Sequence, residues 1–156
     1  MERSVFETQI RKEPFKMNRN DIRELNTALK GEHMAIESFD HYIKDTEDEE
    51  TKKKLMDMQQ QHQFHAIQLS ERIQQLGGNP AHTSGLPGIM AEVKHKVTPK
   101  KYINNSIIKT AAAGEEIGIQ AYGEIMVNLS DASNQKLAEE MLIENVRIVE
   151  KLNQLI

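Results

Sequence analysis

Six ionisable residues stand at or beside positions where the apolar stripes of helices would otherwise continue. They are Glu32, His62, His65, Glu115, Glu144 and Arg147. Two of them, His62 and His65, are three residues apart and therefore share one helical face. Because the sequence contains no cysteine, a bound metal ion would need imidazole and carboxylate ligands. The same groups could instead form buried ion pairs that hold helices in register without a metal.

The composition favours helices as the elements that position these residues. Aromatic residues make up 4% of the chain and Trp is absent, whereas residues with high helix propensity are abundant. Apolar residues recur at three- and four-residue spacing in four segments. The predicted helices run from about Asn20, from about Asp48 to Leu76, from Pro99 to about Leu129, and from about Asp131 to Leu155. We therefore predict an all-α protein.

A link rich in glycine and proline, from Gly77 to Thr98, separates the second predicted helix from the third. Its length is sufficient to run back along a whole helix, and a short helix from Leu86 to His95 is predicted within it. Counting the rise per residue from each turn places the two histidines and the three glutamates at one level. The prediction is an up-down-down-up four-helix bundle with one long crossover between helices 2 and 3.

The two halves of the sequence resemble each other. The segment from Gly31 to Phe39 aligns with Gly114 to Tyr122 at an offset of 83 residues (114 − 31). The segment from Thr51 to Leu55 aligns with Ser133 to Leu137 at an offset of 82 residues (133 − 51). This second offset pairs His62 with Glu144, and His65 with Arg147. Both halves are therefore expected to place ionisable groups at equivalent core positions.

Length and charge exclude several classes of protein. A chain of 156 residues fits one domain, which we expect at residues 20–156, after a flexible N-terminal arm at residues 1–19. The net charge of −4 and the pI of about 5.9 argue against a nucleic-acid partner. No apolar run long enough for a membrane span and no signal peptide are found, so the expected location is the cytoplasm.

Together these features resemble the ferritin-like superfamily, nearest to its rubrerythrin and bacterioferritin relatives. The resemblance covers residues 20–156 and includes the segment from Leu69 to Pro80. In that superfamily, one Glu from each of two helices and a Glu-x-x-His motif from each of the other two bind two metal ions, usually iron. The corresponding motifs here are His62-Gln-Phe-His65 and Glu144-Asn-Val-Arg147. Each departs from the superfamily pattern at one position.

The resemblance implies a mononuclear or strongly asymmetric metal site in the middle of the bundle. Glu32, His65 and Glu144 match the ligands of one metal ion, and His62 offers a second imidazole. Iron is the expected ion, with manganese and zinc as alternatives. We expect one ion per chain at these four residues.

Three further residues are assigned to the surroundings of the site. Arg147 cannot bind a metal because its guanidinium stays protonated, and we expect it to pair with Glu115 and stand in for the second cation. Glu115 is a further candidate ligand. Tyr122 is either a phenol that supports the ligands or a core residue.

Two functions remain open from the sequence. One is a metal-binding protein related to iron handling or oxidative stress, which includes a metal-dependent oxidase or peroxidase that meets a small oxidant. The other is a metal-free bundle that acts through association, with a network of Glu, Arg and His in place of the metal.

Apolar residues outside the core stripe predict self-association. Met34, Met56 and Ile67 form a candidate face for a homodimer about a two-fold axis. The larger shells of the ferritin-like superfamily use a fifth helix, and the sequence ends with the fourth. We therefore expect a small oligomer instead of a cage.

Overall fold

The computed structural model describes residues 18–85 and 103–156. These residues form four helices: α1 (Arg19–Asp45), α2 (Glu49–Gln75), α3 (Ile103–Asn128) and α4 (Ala132–Asn153). The described part of the chain contains no strand, and the predicted all-α class is confirmed. The predicted short helix from Leu86 to His95, and nearly all of the predicted arm at 1–19, lie outside the described residues.

Polar side chains at the helix starts explain where three of the helices begin. Asn18, Asp48 and Asp131 each accept a hydrogen bond from a backbone N–H in the first turn of α1, α2 and α4, respectively. Such caps satisfy amides that have no partner inside the helix. The starts of these helices therefore follow from the sequence almost to the residue.

The contacts at the helix ends establish the order of the bundle. α1 packs against α2 and α3, and α3 packs against α4. The start of α1 meets the end of α3, since Asp21 accepts a hydrogen bond from the Ser130 backbone N–H at 2.9 Å. The end of α2 meets the start of α4, since Arg72 Nε donates to Asn134 Oδ1 at 2.6 Å. The predicted up-down-down-up bundle is confirmed.

Asp21 ties α1 to the turn between α3 and α4. Its carboxylate is fully buried and accepts hydrogen bonds from Ser130 N at 2.9 Å, Ser130 Oγ at 2.9 Å, Asp131 N at 3.0 Å and Asn134 Nδ2 at 2.8 Å. Burial alone would raise the pKa of Asp21, but these hydrogen bonds lower it to about 2. The carboxylate is therefore charged and fully paired at neutral pH.

The first residues of the link turn back along α1. α2 ends at Gln75, and Gly77, two residues later, has a φ of 82°, in the left-handed region that glycine adopts without strain. Asn26 on α1 then accepts a hydrogen bond from Ala81 N at 2.8 Å and donates one to Asn79 O at 3.1 Å. This path is the start of the predicted crossover.

The core consists of two apolar clusters with a polar layer between them. The first cluster includes Leu25, Leu69, Ile73, Ile125 and Met141, and the second includes Phe39, Leu55, Ile108, Ile148 and Leu152. Every helix contributes to both clusters, so the layer between them lies near the middle of the bundle. None of the described helices is both long and apolar enough to cross a membrane.

Candidate metal centre

Four ionisable side chains fill the polar layer. Glu32 on α1, His62 and His65 on α2, and Glu115 on α3 are all buried. Each continues the apolar stripe of its helix, which is why it points inward between the two clusters. The structure thus brings together four of the five residues that we expected as ligands.

His62 lies between the two carboxylates of the layer. Its Nδ1 is 2.7 Å from Glu32 Oε2, and its Nε2 is 2.9 Å from Glu115 Oε1. A carboxylate can only accept these hydrogen bonds, so both ring nitrogens must carry protons. In this arrangement His62 is an imidazolium that neutralises one of its two carboxylate partners.

His65 lies beside the same carboxylate on the other side. Its Nδ1 is 3.3 Å from Glu32 Oε1, and Gln61 Nε2 is 3.0 Å from its Nε2. Among the residues that the structure describes, His65 Nδ1 has no partner with hydrogen-bond geometry. This nitrogen is therefore buried, directed towards Glu32 and available to a ligand.

Tyr122 supports Glu32 from α3. Its hydroxyl donates a short hydrogen bond to Glu32 Oε1 and also contacts Met141 Sδ at 3.4 Å. Burial and the negative charge of Glu32 raise the pKa of the phenol, so it remains a donor at neutral pH. Of the two roles considered for Tyr122, the geometry favours the phenol that supports a candidate ligand.

The charges of the layer depend on one another. Burial alone would raise the pKa of Glu32, but the hydrogen bond with His62 and the close contact with His65 lower it to about 2. Burial alone would lower the pKa of His62, but its bonds to Glu115 and Glu32 raise it to about 10. These are two descriptions of one interaction, so each ionised group stabilises the other.

The donor atoms fit a divalent metal ion. Glu32, His62 and His65 each offer one ligand atom, and these atoms lie within 4.8 Å of one another. A histidine that binds a metal usually donates its other ring N–H to a carboxylate or carbonyl, and Glu115 occupies that position at His62 Nε2. Two imidazoles and one carboxylate with open positions suit Fe(II), and these ligand types also suit manganese and zinc.

Glu144 and Arg147 lie outside the polar layer. Arg147 donates a short hydrogen bond to Glu144, and their side chains are 59% and 34% exposed, respectively. Glu144 lines a surface groove that His65 also borders. The expected pair between Arg147 and Glu115 is therefore wrong, because Glu115 pairs with His62. Arg147→Leu should therefore lower the free energy of unfolding by less than about 1 kcal/mol, as is usual for an exposed ion pair.

The register of α4 explains this difference. Burial in the described helices repeats at an offset of 83 residues, which relates the caps Asp48 and Asp131 (131 − 48) and the buried Met58 and Met141 (141 − 58). The same offset pairs His62 with Asn145, and His65 with Ile148. Successive residues of a helix are rotated by about 100° about its axis. An offset of 82, which is one residue too short, therefore pairs the two histidines with Glu144 and Arg147, which face outward. Asn145, which is buried, is the residue that the sequence analysis missed.

Comparisons with known proteins identify the family and the fold. The sequence matches the family described as Domain of unknown function (DUF2383) over residues 20–128, which span α1 to α3. No curated protein matches the sequence significantly. Several solved structures do match, and each of the three described next is 21% identical to this chain.

The bacterioferritin-related protein of Bacteroides fragilis, a dodecameric thioferritin, has a TM-score of 0.72 over 99% of this chain and 92% of that chain. A ferritin-like diiron-carboxylate protein from Bacillus anthracis has a TM-score of 0.66 over 86% of this chain and 94% of that chain. A two-domain protein from Anabaena variabilis, with a DJ-1/ThiJ/PfpI-like and a ferritin-like domain, has a TM-score of 0.69 over 86% of this chain. This chain spans 35% of that protein.

At 21% identity, the similar structures show the fold alone. The family match, which covers most of the chain, shows the family. The fold is the ferritin-like four-helix bundle, as the sequence features predicted. The chain belongs to the DUF2383 family.

Proposed function

We propose that this protein binds one divalent metal ion per chain, with iron as the expected ion, and that it takes part in iron handling. The ligands are Glu32, His62 and His65, and Glu115 orients His62 through its second nitrogen. The proposal rests on the three buried donor atoms that lie within 4.8 Å of one another.

The residues of the second half of the bundle do not provide a second metal site, which supports one ion per chain. The positions equivalent to His62 and His65 are Asn145 and Ile148, which offer a neutral amide and a hydrocarbon. Glu115 remains as the one carboxylate of that half in the layer, and it already pairs with His62. A second ion would therefore lack the carboxylate and imidazole that the first one has.

The chain's own residues prepare the site for such an ion. Tyr122 and His62 fix the two oxygens of Glu32, and the apolar clusters on both sides keep bulk water away. A bound iron supplies redox chemistry with dioxygen or peroxide. His62 Nδ1 must release its proton to become a ligand, so binding is coupled to proton release.

A second candidate function is favoured by the pairing of His62 with both carboxylates. In that case the imidazolium replaces the metal, and the protein is a bundle that acts through association. The hydrogen bonds of 2.7 and 2.9 Å that His62 makes complete this network without any ion. The two candidate functions differ at His65 Nδ1, which binds the metal ion in the first and binds no ion in the second.

Metal analysis of the full chain tests the first proposal. After purification without chelator and anaerobic titration with Fe(II) or Zn(II), we expect one ion per chain and proton release on binding. Glu32→Gln and His65→Ala should each weaken binding at least about tenfold, since each removes a ligand.

Glu144→Gln is the matched control, because it makes the same chemical change on the same bundle outside the polar layer. It should bind as the unmodified chain does. Two ions per chain, or equal losses for Glu32→Gln and Glu144→Gln, would contradict the proposed ligand set. No binding of any divalent ion would favour the metal-free bundle.

We also propose that the protein is a homodimer in the cytoplasm. Met56 and Ile67 of the expected face are 53% and 55% exposed on α2, and Phe64 beside them is 53% exposed, whereas Met34 is half-buried. The dodecameric thioferritin shows that a bundle of this fold can self-associate. Light scattering should give a mass near twice 17.9 kDa, and a mass near 17.9 kDa would exclude the dimer.

A further inference from the structure

A cavity of about 270 Å³ lies between α1 and α3 and reaches the polar layer. Small residues of both helices form much of its wall: Ala28, Gly31, Ala35, Ala111, Gly114 and Gly118. Larger apolar side chains, such as Phe39 and Ile125, also line it, and Glu115 and Asn145 lie at its polar end. The wall of the cavity is therefore mostly apolar and becomes polar where it meets the polar layer, which we call its polar end.

Two glycines keep this space open. Gly31 and Gly114 occupy equivalent positions in the two halves, in the middle of helices, where glycine is unfavourable compared with alanine. A Cβ atom built on either glycine would meet no described atom within 4 Å. Both glycines are exposed and line the cavity, so the absence of a side chain at each leaves the opening of the cavity unobstructed.

Two buried acceptors at the polar end lack partners. Within residues 18–85 and 103–156, Glu115 Oε2 and Asn145 Oδ1 have no hydrogen-bond partner. Both residues are at least nine-tenths buried, with 5% and 2% of their surface exposed, and both line the cavity. Because unpaired buried acceptors are costly, a ligand in the cavity should carry hydrogen-bond donors.

The charge of the layer favours a cationic donor. Among the described residues, the ion-pair partner of Glu115 is His62, which also pairs with Glu32, so the negative charge of Glu115 is only partly balanced by this shared imidazolium. An ammonium group has three N–H donors and no acceptor. It could therefore donate both to the unpaired carboxylate oxygen of Glu115 and to the unpaired amide oxygen of Asn145. A carboxylate or phosphate ligand would be repelled by the same groups.

We propose that this cavity binds a small primary alkylammonium ion. Its head group donates to Glu115 Oε2 and Asn145 Oδ1, and its alkyl chain lies along the wall of small residues. A cavity of about 150 Å³ holds benzene, so this one has room for a ligand the size of n-pentylammonium. The proposal goes beyond metal binding and does not require an ion at Glu32, His62 and His65.

Titration of the ¹⁵N-labelled full chain with n-pentylammonium chloride tests this inference by NMR. The amide resonances of Gly31, Gly114 and Gly118 should shift in a saturable way, with an affinity in roughly the millimolar range for so small a ligand. n-Pentanol should bind at least about tenfold more weakly, and n-pentanoate should not bind. The titration is run with chelator and again with Zn(II), so that failure of metal binding and failure of this proposal are separate results.

Three variants locate the binding site. Gly114→Leu and Gly31→Leu place a side chain in the cavity and should each abolish binding. The matched control is Gly123→Leu, because Gly123 also lies in α3 and also has open space at its Cβ, but it lines a surface depression elsewhere. This control should bind as the unmodified chain does, and circular dichroism should show that all variants are helical.

Glu115→Gln tests the charge of the head-group site. It should reduce the affinity for n-pentylammonium to that for n-pentanol, since the amide keeps an acceptor but loses the charge. Equal binding of the three probes, binding retained in Gly114→Leu and Gly31→Leu, or no saturable shift with n-pentylammonium would each overturn the proposal.

Discussion

His62 decides the electrostatic state of the polar layer. Its two nitrogens contact carboxylates on two different helices, and either a proton or a metal ion can occupy Nδ1, but not both at once. The proton is held tightly, since the pKa of His62 is about 10 against an ordinary value of about 6.5. Metal affinity should therefore rise with pH up to that value, because each ion must displace this proton.

The metal-free protein should lose stability as the pH rises from 6.5 to 10. The folded state binds the His62 proton more tightly than the unfolded state, so the stabilisation is complete below about 6.5 and disappears as the pH passes the folded pKa. Urea unfolding in the presence of chelator should show a loss on the order of 3 kcal/mol across this range.

His62→Gln should remove most of this pH dependence, because glutamine does not titrate. His82→Gln is the control, since His82 is exposed and its substitution should leave the slope unchanged. Equal slopes for the unmodified chain and His62→Gln would show that His62 is not the group responsible.

At the level of the helices, the sequence predicts most of the architecture because the signals are local. The caps Asn18, Asp48 and Asp131 fix the helix starts, and Gly77 reverses the chain just after the end of α2. The inward position of Glu32 and His62 follows from interrupted apolar stripes. These patterns involve only neighbours in sequence or residues one turn apart, which is why the sequence alone is informative about them.

The contacts between helices are less accessible from sequence. Whether Glu144 or Asn145 faces the interior depends on one residue of register, and both lie three or four residues from the buried Met141 and Ile148. The hydrogen bond from Tyr122 to Glu32 joins residues far apart in the chain. Such pairings depend on the three-dimensional packing of α1 against α3, which has no local signature.

The register of α4 can be tested by restoring ligands to it. The double substitution Asn145→Glu with Ile148→His places a carboxylate and an imidazole at the positions equivalent to His62 and His65. Next to Glu115, these groups should create a second site and raise the metal content from one to two ions per chain. Elemental analysis after anaerobic loading measures the change.

Arg147→His is the corresponding control in the other register. It completes a Glu-x-x-His pattern with Glu144 in the sequence, but on the outward side of α4. The metal content should stay at one ion per chain. A second ion in Arg147→His, and none in the double variant, would mean that the 82-residue offset is correct after all.

For the molecule as a whole, Asp21 is the strongest polar connection between the two halves. Its buried carboxylate receives four hydrogen bonds from the α3–α4 turn and the first turn of α4. An amide at this position would present an N–H group to donors.

Asp21→Asn should therefore lower the free energy of unfolding by about 2 to 3 kcal/mol at pH 7. Because the pKa of Asp21 is lowered to about 2, its contribution is complete above the unfolded value near 3.8 and is lost as the pH falls towards 2. Denaturant unfolding at pH 7 and in the range of pH 4 to 2 should show the two proteins converge. Asp40→Asn, at an exposed position, should have little effect at pH 7, and a loss as large as that of Asp21→Asn would contradict the role of the buried carboxylate.

The constant offset between the halves also bears on how such a site can arise. An assembly of two identical helical hairpins would carry the same residues on both sides of its axis, so it would have two sets of donors or none. Once two copies are joined in one chain, each accumulates its own substitutions. One hairpin here carries His62 and His65, while the other carries Asn145 and Ile148 at the equivalent positions, so the metal donors lie on one side of the pseudo-symmetry axis and the unpaired amide oxygen lies on the other.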